Sequence, residues 1–308
     1  MSSRVVARAV GCALLLLASA STGASAETKR ASNSSNTLVL SPGVSIHYET
    51  AGKGRIPIVF VPGWTMSSAV FERQLEHFAG STRFRFVSYD PRGQGRSSKP
   101  AEGHTYDQHG RDLHDVLDRL KLRRVVLVGW SFGVLDVTSY LQQFGSHDVR
   151  AVVLIDGTPK TAGTDSTTEW VWVGNDNWFN SMHWYSTDLL GPDREKTIAA
   201  FAQWMLEDPT PEQVRWATRI SLQTPDWIAA LTNATGTTAD YEAALEALEG
   251  EKPLLYVMGT EHWHTAVEQW AAAHTPSAKL VSLGRHLMFW QRAREFNAVL
   301  DEFLKQLK

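Results

Sequence analysis

The chain has 308 residues, 43% hydrophobic and 20% charged, with 30 Lys+Arg against 33 Asp+Glu for a formal net charge of −3. This is the balance of an ordinary globular protein long enough to bury a large core. Basic residues are scattered, with no run longer than a pair such as Arg123-Arg124, which argues against phosphate-backbone binding and against a nucleic-acid partner.

In chain order, Arg4 and Arg8 precede the apolar run Cys12 to Ala18, and small residues follow to Ala24-Ser25-Ala26. This pattern predicts a secretory signal peptide over 1–26, cleaved after Ala26 or Ala20, and a secreted or periplasmic destination. The apolar stretch is well short of the roughly 20 residues that span a bilayer, so no stable membrane anchor is expected. Cleavage removes Arg4 and Arg8, moving the formal charge from −3 to −5, and removes Cys12, the single cysteine, so no thiol or disulfide chemistry is expected. Residues 27–36 are polar and read as a flexible leader.

Short β-rich runs then alternate with helical patterns: 46–50, 56–61, 84–89, 125–128, 151–155, 254–258 and 279–283. Such alternation predicts βαβ units and an α/β fold with a mostly parallel sheet flanked by helices. Leu113, Val116, Leu117 and Leu120 share one helical face, as do Val137, Tyr140, Leu141 and Phe144. Between Thr158 and Gly250 the rhythm stops. No strong strand signal appears there, yet seven tryptophans do: Trp170, Trp172, Trp178, Trp184, Trp204, Trp216 and Trp227. An interval of that length is too long for a bare loop, so 158–250 is expected to be a helical lid, inserted after the sixth strand. The core is then 37–157 and 251–308.

Gly129-Trp130-Ser131-Phe132-Gly133 fits the nucleophile elbow, in which a serine occupies a sharp turn between a strand and a helix. Arg124 to Val128 supplies the strand and Val134 to Phe144 the helix. Upstream, Val61-Pro62-Gly63-Trp64 ends the 56–61 strand, and Asp90-Pro91-Arg92-Gly93-Gln94-Gly95-Arg96-Ser97 follows the next one. Downstream, Leu283-Gly284-Arg285-His286 follows the last strand and precedes an amphipathic helix bearing Phe296, Val299, Leu300 and Phe303.

With these motifs the chain resembles the α/β-hydrolase superfamily, and within it the lid-bearing esterase and perhydrolase group that includes cofactor-free haloperoxidases. The resemblance implies an eight-stranded sheet, Ser131 as nucleophile and His286 as its base. It implies an oxyanion hole formed by the backbone N–H groups of Trp64 and Phe132. Relatives carry His-Gly where this chain has Pro62-Gly63, which removes a supporting side chain but keeps the backbone donor. The Asp90 to Ser97 segment reads as structural, with Arg92 bonding nearby carbonyls. Two candidates for the acid stay open: Asp156, ending the strand after the nucleophile helix, and Glu261, near the more usual late-strand position.

Trp130, Trp263 and Trp290 neighbour these positions in sequence and are expected to line an apolar pocket for a small acyl or aromatic ester. His183, Tyr185 and Asp176 are further candidates to orient a substrate. Neither a cofactor nor a metal is expected, and the sequence gives no oligomeric state. The activity expected is that of a serine hydrolase cleaving a carboxylic ester, thioester or lactone through an acyl-enzyme. Acyl transfer and non-hydrolytic ligand binding on the same fold are the competing readings. Haloalkane dehalogenases and epoxide hydrolases of this fold use Asp at the elbow, where this chain has Ser131.

Overall fold

The computed structural model describes residues 36–261 and 264–307. The expected signal peptide, Cys12, leader residues 27–35 and Trp263 lie outside the described residues. Eight strands form one sheet: β1 Asn36–Ser41, β2 Val44–Ala51, β3 Ile56–Val61, β4 Phe84–Tyr89, β5 Val125–Trp130, β6 Val149–Ile155, β7 Leu254–Met258 and β8 Lys279–Ser282. Their spatial order is β1-β2-β4-β3-β5-β6-β7-β8. The pairs β1·β2 and β2·β4 are antiparallel and the other five are parallel. Asn36 already belongs to β1, one residue earlier than expected, and β1 is the strand that gave no signal in the sequence.

The helices are α1 Glu72–Phe78, α2 Tyr106–Arg119, α3 Gly133–Phe144, α4 Trp178–His183, α5 Arg194–Met205, α6 Pro211–Ser221, α7 Asp226–Gly236, α8 Glu242–Glu246, α9 His264–His274, α10 Met288–Gln291 and α11 Ala293–Lys305. The central strands are buried on both sides, and successive residues alternate between two cores. Ile58, Phe60, Val126, Val128, Val153 and Ile155 join one core with Phe71, Leu75, Phe289, Leu300 and Phe303. Val59, Val61, Val125, Leu127, Val152 and Leu154 join the other with Leu113, Val116, Val137, Tyr140 and Val267.

Between β6 and β7 the chain contributes α4 to α8 and no strand of the sheet. The neck of this insertion is closed by backbone bonds from Thr161 N to Ala239 O at 3.0 Å and from Tyr241 N to Pro159 O at 2.9 Å. A third small core joins it to the sheet edge, uniting Trp64, Tyr106, Phe132 and Leu135 with Leu189, Ile198, Ala229 and Tyr241.

Candidate active site

Ser131 follows β5 and precedes α3 with φ +56°, the left-handed conformation that forces a strand-to-helix reversal. Tight approach around it explains the flanking glycines. A Cβ on Gly133 would stand 2.4 Å from Val61 O, and one on Gly63 would stand 2.7 Å from Ser131 Cβ and 3.2 Å from its Oγ. The end of β3 therefore lies directly against the serine. Phe132 follows Ser131 at the start of α3, so the backbone of both expected oxyanion donors, Trp64 and Phe132, flanks Ser131.

Asp156 is the first residue after β6, also at positive φ (+40°), and its N–H bonds Val257 O at 2.9 Å. One carboxylate oxygen accepts the Gly259 N–H at 2.7 Å, and the other meets His286 Nδ1 at 2.6 Å. His286 Nε2 in turn stands 3.0 Å from Ser131 Oγ. All three side chains are buried, at 6%, 1% and 2% exposed for Ser131, Asp156 and His286. A hydroxyl, an imidazole and a carboxylate in this order form a relay. The imidazole can take the serine proton while the carboxylate fixes its tautomer and stabilises the imidazolium.

The structure thus brings Ser131, His286 and Asp156 together and leaves Glu261 out. Glu261 is exposed and pairs with Arg285, whose Nε donates to it at 2.9 Å, so its charge is turned toward a guanidinium beside the histidine rather than toward the imidazole. The end of β7 serves the relay differently, through the Gly259 N–H that anchors Asp156.

Two of the expected pocket tryptophans are elsewhere. Trp130 is a core residue wedged between Phe71 and Phe289, and its indole N–H donates to His286 O at 2.8 Å. It positions the histidine's backbone. Trp290 is stacked on Trp216 at 4.2 Å with Arg73 over its ring, and its N–H bonds Glu72. Asp176 is occupied by Ser166, and His183 is exposed beside Phe179. Arg92 bonds the buried Asp112 carboxylate with both arms, at 2.7 and 2.6 Å, rather than carbonyls.

Trp130 also meets the His286 ring from the core side, at 5.2 Å, and two further rings reach the imidazole from the insertion. Trp204 stands 4.9 Å and Trp172 5.7 Å from it, centroid to centroid. They form part of the wall of a cavity of about 290 Å³ lined by Trp172, Trp184, Ala200, Phe201 and Trp204. Trp64 joins the same cluster, 5.6 Å from Phe201 and 6.2 Å from Trp184, and Phe132 meets Trp172 at 5.8 Å. The sequence displayed these tryptophans without separating the site residues from the rest. The spacing of Ala200, Phe201 and Trp204 on one helical face was the available signal.

A sheet of this topology, with a buried serine, histidine and carboxylate gathered at its strand ends, is that of the α/β-hydrolase fold. Residues 56–293 match the alpha/beta hydrolase fold family, and the chain belongs to it. It is 38% identical over 116 residues to a putative non-heme chloroperoxidase of Synechocystis sp., covering 38% of this chain and 41% of that protein. It is 34% identical over 118 residues to a bifunctional esterase/perhydrolase of Acinetobacter calcoaceticus, covering 38% and 42%. The chain thus spans about two fifths of the length of each of these two relatives. Among solved structures, bromoperoxidase from Bacillus anthracis is similar at a TM-score of 0.77 and 25% identity, over 89% of this chain and all of that one.

Proposed function

We propose that the protein is an exported serine hydrolase that cleaves a carboxylic ester, thioester or lactone of a small apolar substrate. The continuous relay from Asp156 through His286 to Ser131 carries this reading. Ser131 Oγ, its proton taken by His286, adds to the acyl carbon, and the oxyanion is met by the Trp64 and Phe132 N–H groups. The alcohol leaves with the proton from His286. Water, deprotonated by the same imidazole, then releases the acid and restores the serine. The aromatic cavity beside His286 favours an acyl chain or an aromatic group over a charged one.

A fluorophosphonate probe tests the reading. It is expected to label Ser131 alone, with the Ser131→Ala protein unlabelled and inactive on p-nitrophenyl acetate. Labelling of the Ala protein overturns it. Hydrogen peroxide attacking the acyl-enzyme in place of water would release a peracid, and the esterase/perhydrolase relative supports assaying for that product. Export is checked by N-terminal sequencing of secreted or periplasmic protein, where an intact Met1 refutes it.

A further inference from the structure

The turn that presents the Trp64 N–H is strained. Met66 N–H bonds Gly63 O at 3.1 Å, closing a four-residue turn whose third residue is Thr65 at φ +62°. That position normally belongs to glycine, and a β-branched residue there persists only when its surroundings over-determine it. Gly63 C=O and Trp64 N–H belong to one trans peptide and point in opposite directions, so anything that fixes this turn also fixes where the oxyanion donor aims.

Three contacts fix it, all from residues 221–229 at the junction of α6 and α7. Thr65 Oγ1 donates to Trp64 O at 2.6 Å, which leaves Ser221 Oγ as the donor in its 2.7 Å bond to Thr65 Oγ1. Thr224 Oγ1 donates to Thr65 O at 3.0 Å. The Trp64 indole N–H donates to Ala229 O at 2.8 Å. Thr65, Ser221 and Thr224 are all completely buried, so no water substitutes for these partners. The resemblance noted above supplies a histidine two residues before the donor, and this chain has Pro62 instead.

We propose that Ser221 and Thr224 are positioning residues for the oxyanion donor: their hydroxyls hold Thr65 in its left-handed turn and thereby aim the Trp64 N–H at the oxygen of an acyl group bonded to Ser131. This rests on the hydrolase reading. It assigns the insertion a share in transition-state stabilisation, beyond covering the site.

The full-length chain carrying Ser221→Ala, Thr224→Val or both is compared with wild type on p-nitrophenyl acetate, with phenylboronic acid as a tetrahedral analogue. Deleting a whole oxyanion donor costs about 10²–10³ in kcat, so a misaimed one is expected to cost about tenfold per single variant and about a hundredfold for the pair. KM should stay within about twofold while the Ki of phenylboronic acid rises in step with the fall in kcat, the pattern of an interaction made only in the transition state. Ser221→Thr and Thr224→Ser, which keep the hydroxyls, should recover most of kcat. A kcat near wild type, or a loss confined to KM, overturns the assignment. Should the double variant fail to fold, the two singles decide. If wild type turns over esters through Ser131 yet tolerates both substitutions, only this inference falls. If Ser131→Ala retains turnover, the hydrolase reading falls with it.

Discussion

Two stretches of one insertion are both rich in tryptophan and are held in opposite ways. In the outer stretch, around α4, no residue of the helix is buried; Phe179 is 80% exposed and Trp178 43%. In the inner stretch, from α5 to α7, Ile198, Ala202, Ala217 and Ile228 are fully buried. The inner stretch is also bonded to the loops that carry Thr65 and His286. Besides the Thr65 contacts, Leu287 N–H bonds Met205 O at 2.9 Å, and Gln291 and Arg292 both bond Glu207. Aromatic content does not separate a cover from a wall. Hydrogen bonds to the loops beside Ser131 and His286 do.

The largest expected effect sets the scale for both stretches. Asp156→Asn should lower kcat by about 10⁴ while leaving the fold intact, because the imidazole loses the partner that holds its tautomer. Glu261→Gln weakens an exposed pair with Arg285, worth about 0–1 kcal/mol, and should leave kcat near wild type. Comparable losses from the two substitutions would overturn the assignment of the acid.

Next in size, Ile228→Ala in the inner stretch should destabilise the protein by about 2–5 kcal/mol in urea unfolding, through the cavity it leaves. The same measurement on Phe179→Ala in the outer stretch should stay within about 0.5 kcal/mol. Equal values would erase the contrast. Trp184, which bridges the two stretches at the cavity wall, sharpens it. Trp184→Ala should raise KM for p-nitrophenyl benzoate by about tenfold, the worth of one lost aromatic contact, with kcat on p-nitrophenyl acetate little changed.

A smaller effect comes from the α2–α3 interface beneath Ser131. There His109 Nδ1 and Asp136 Oδ1 are 2.7 Å apart and buried. Burial alone would lower the His109 pKa, but the charge and hydrogen bond of Asp136 outweigh it and the pKa is raised. The Asp136 carboxyl is also held above its ordinary value, by burial first, so both shifts act in the same direction. The stability from His109 is fully present below its unfolded value of about 6.5 and is lost as pH climbs through the raised one. Melting temperature should therefore fall more steeply above about pH 6.5 in wild type than in a His109→Phe, Asp136→Leu double variant. Parallel pH curves would show that the pair does not titrate in this range.

Much of this architecture is written locally. The alternation of short β-rich runs with helical faces marks seven of the eight strands, and the glycines around Ser131 mark an elbow because backbone crowding demands them. β1 escapes notice because it is an edge strand with only Leu40 buried along its length, so it carries little hydrophobic pattern. The acid was not legible, since Asp156 and Glu261 follow adjacent strands at the same sheet edge. The structure turns Glu261 to Arg285 and Asp156 to His286, and nothing in a linear sequence says which carboxylate a guanidinium will claim. Trp130 shows the opposite failure. Adjacent to Ser131 in sequence, it is sent by the strand's alternation into the core behind His286, while Trp204, far away in sequence, stands on the cavity side of the imidazole.

The position of Asp156 has a consequence for recombination between relatives. The chain leaves β6 at this carboxylate and within two residues has entered the insertion, whose neck closes between Pro159 and Tyr241. Crossovers just before and just after that neck would exchange insertions between this protein and a relative whose acid follows the later strand. With Asp156 as the acid, a first crossover before residue 156 leaves the chimaera with two acids or none, according to which protein donates the insertion, whereas a crossover after it keeps a single acid. Shuffling experiments on this scaffold should therefore place the first junction after residue 156 and before Pro159, so that the carboxylate stays with the core that carries His286.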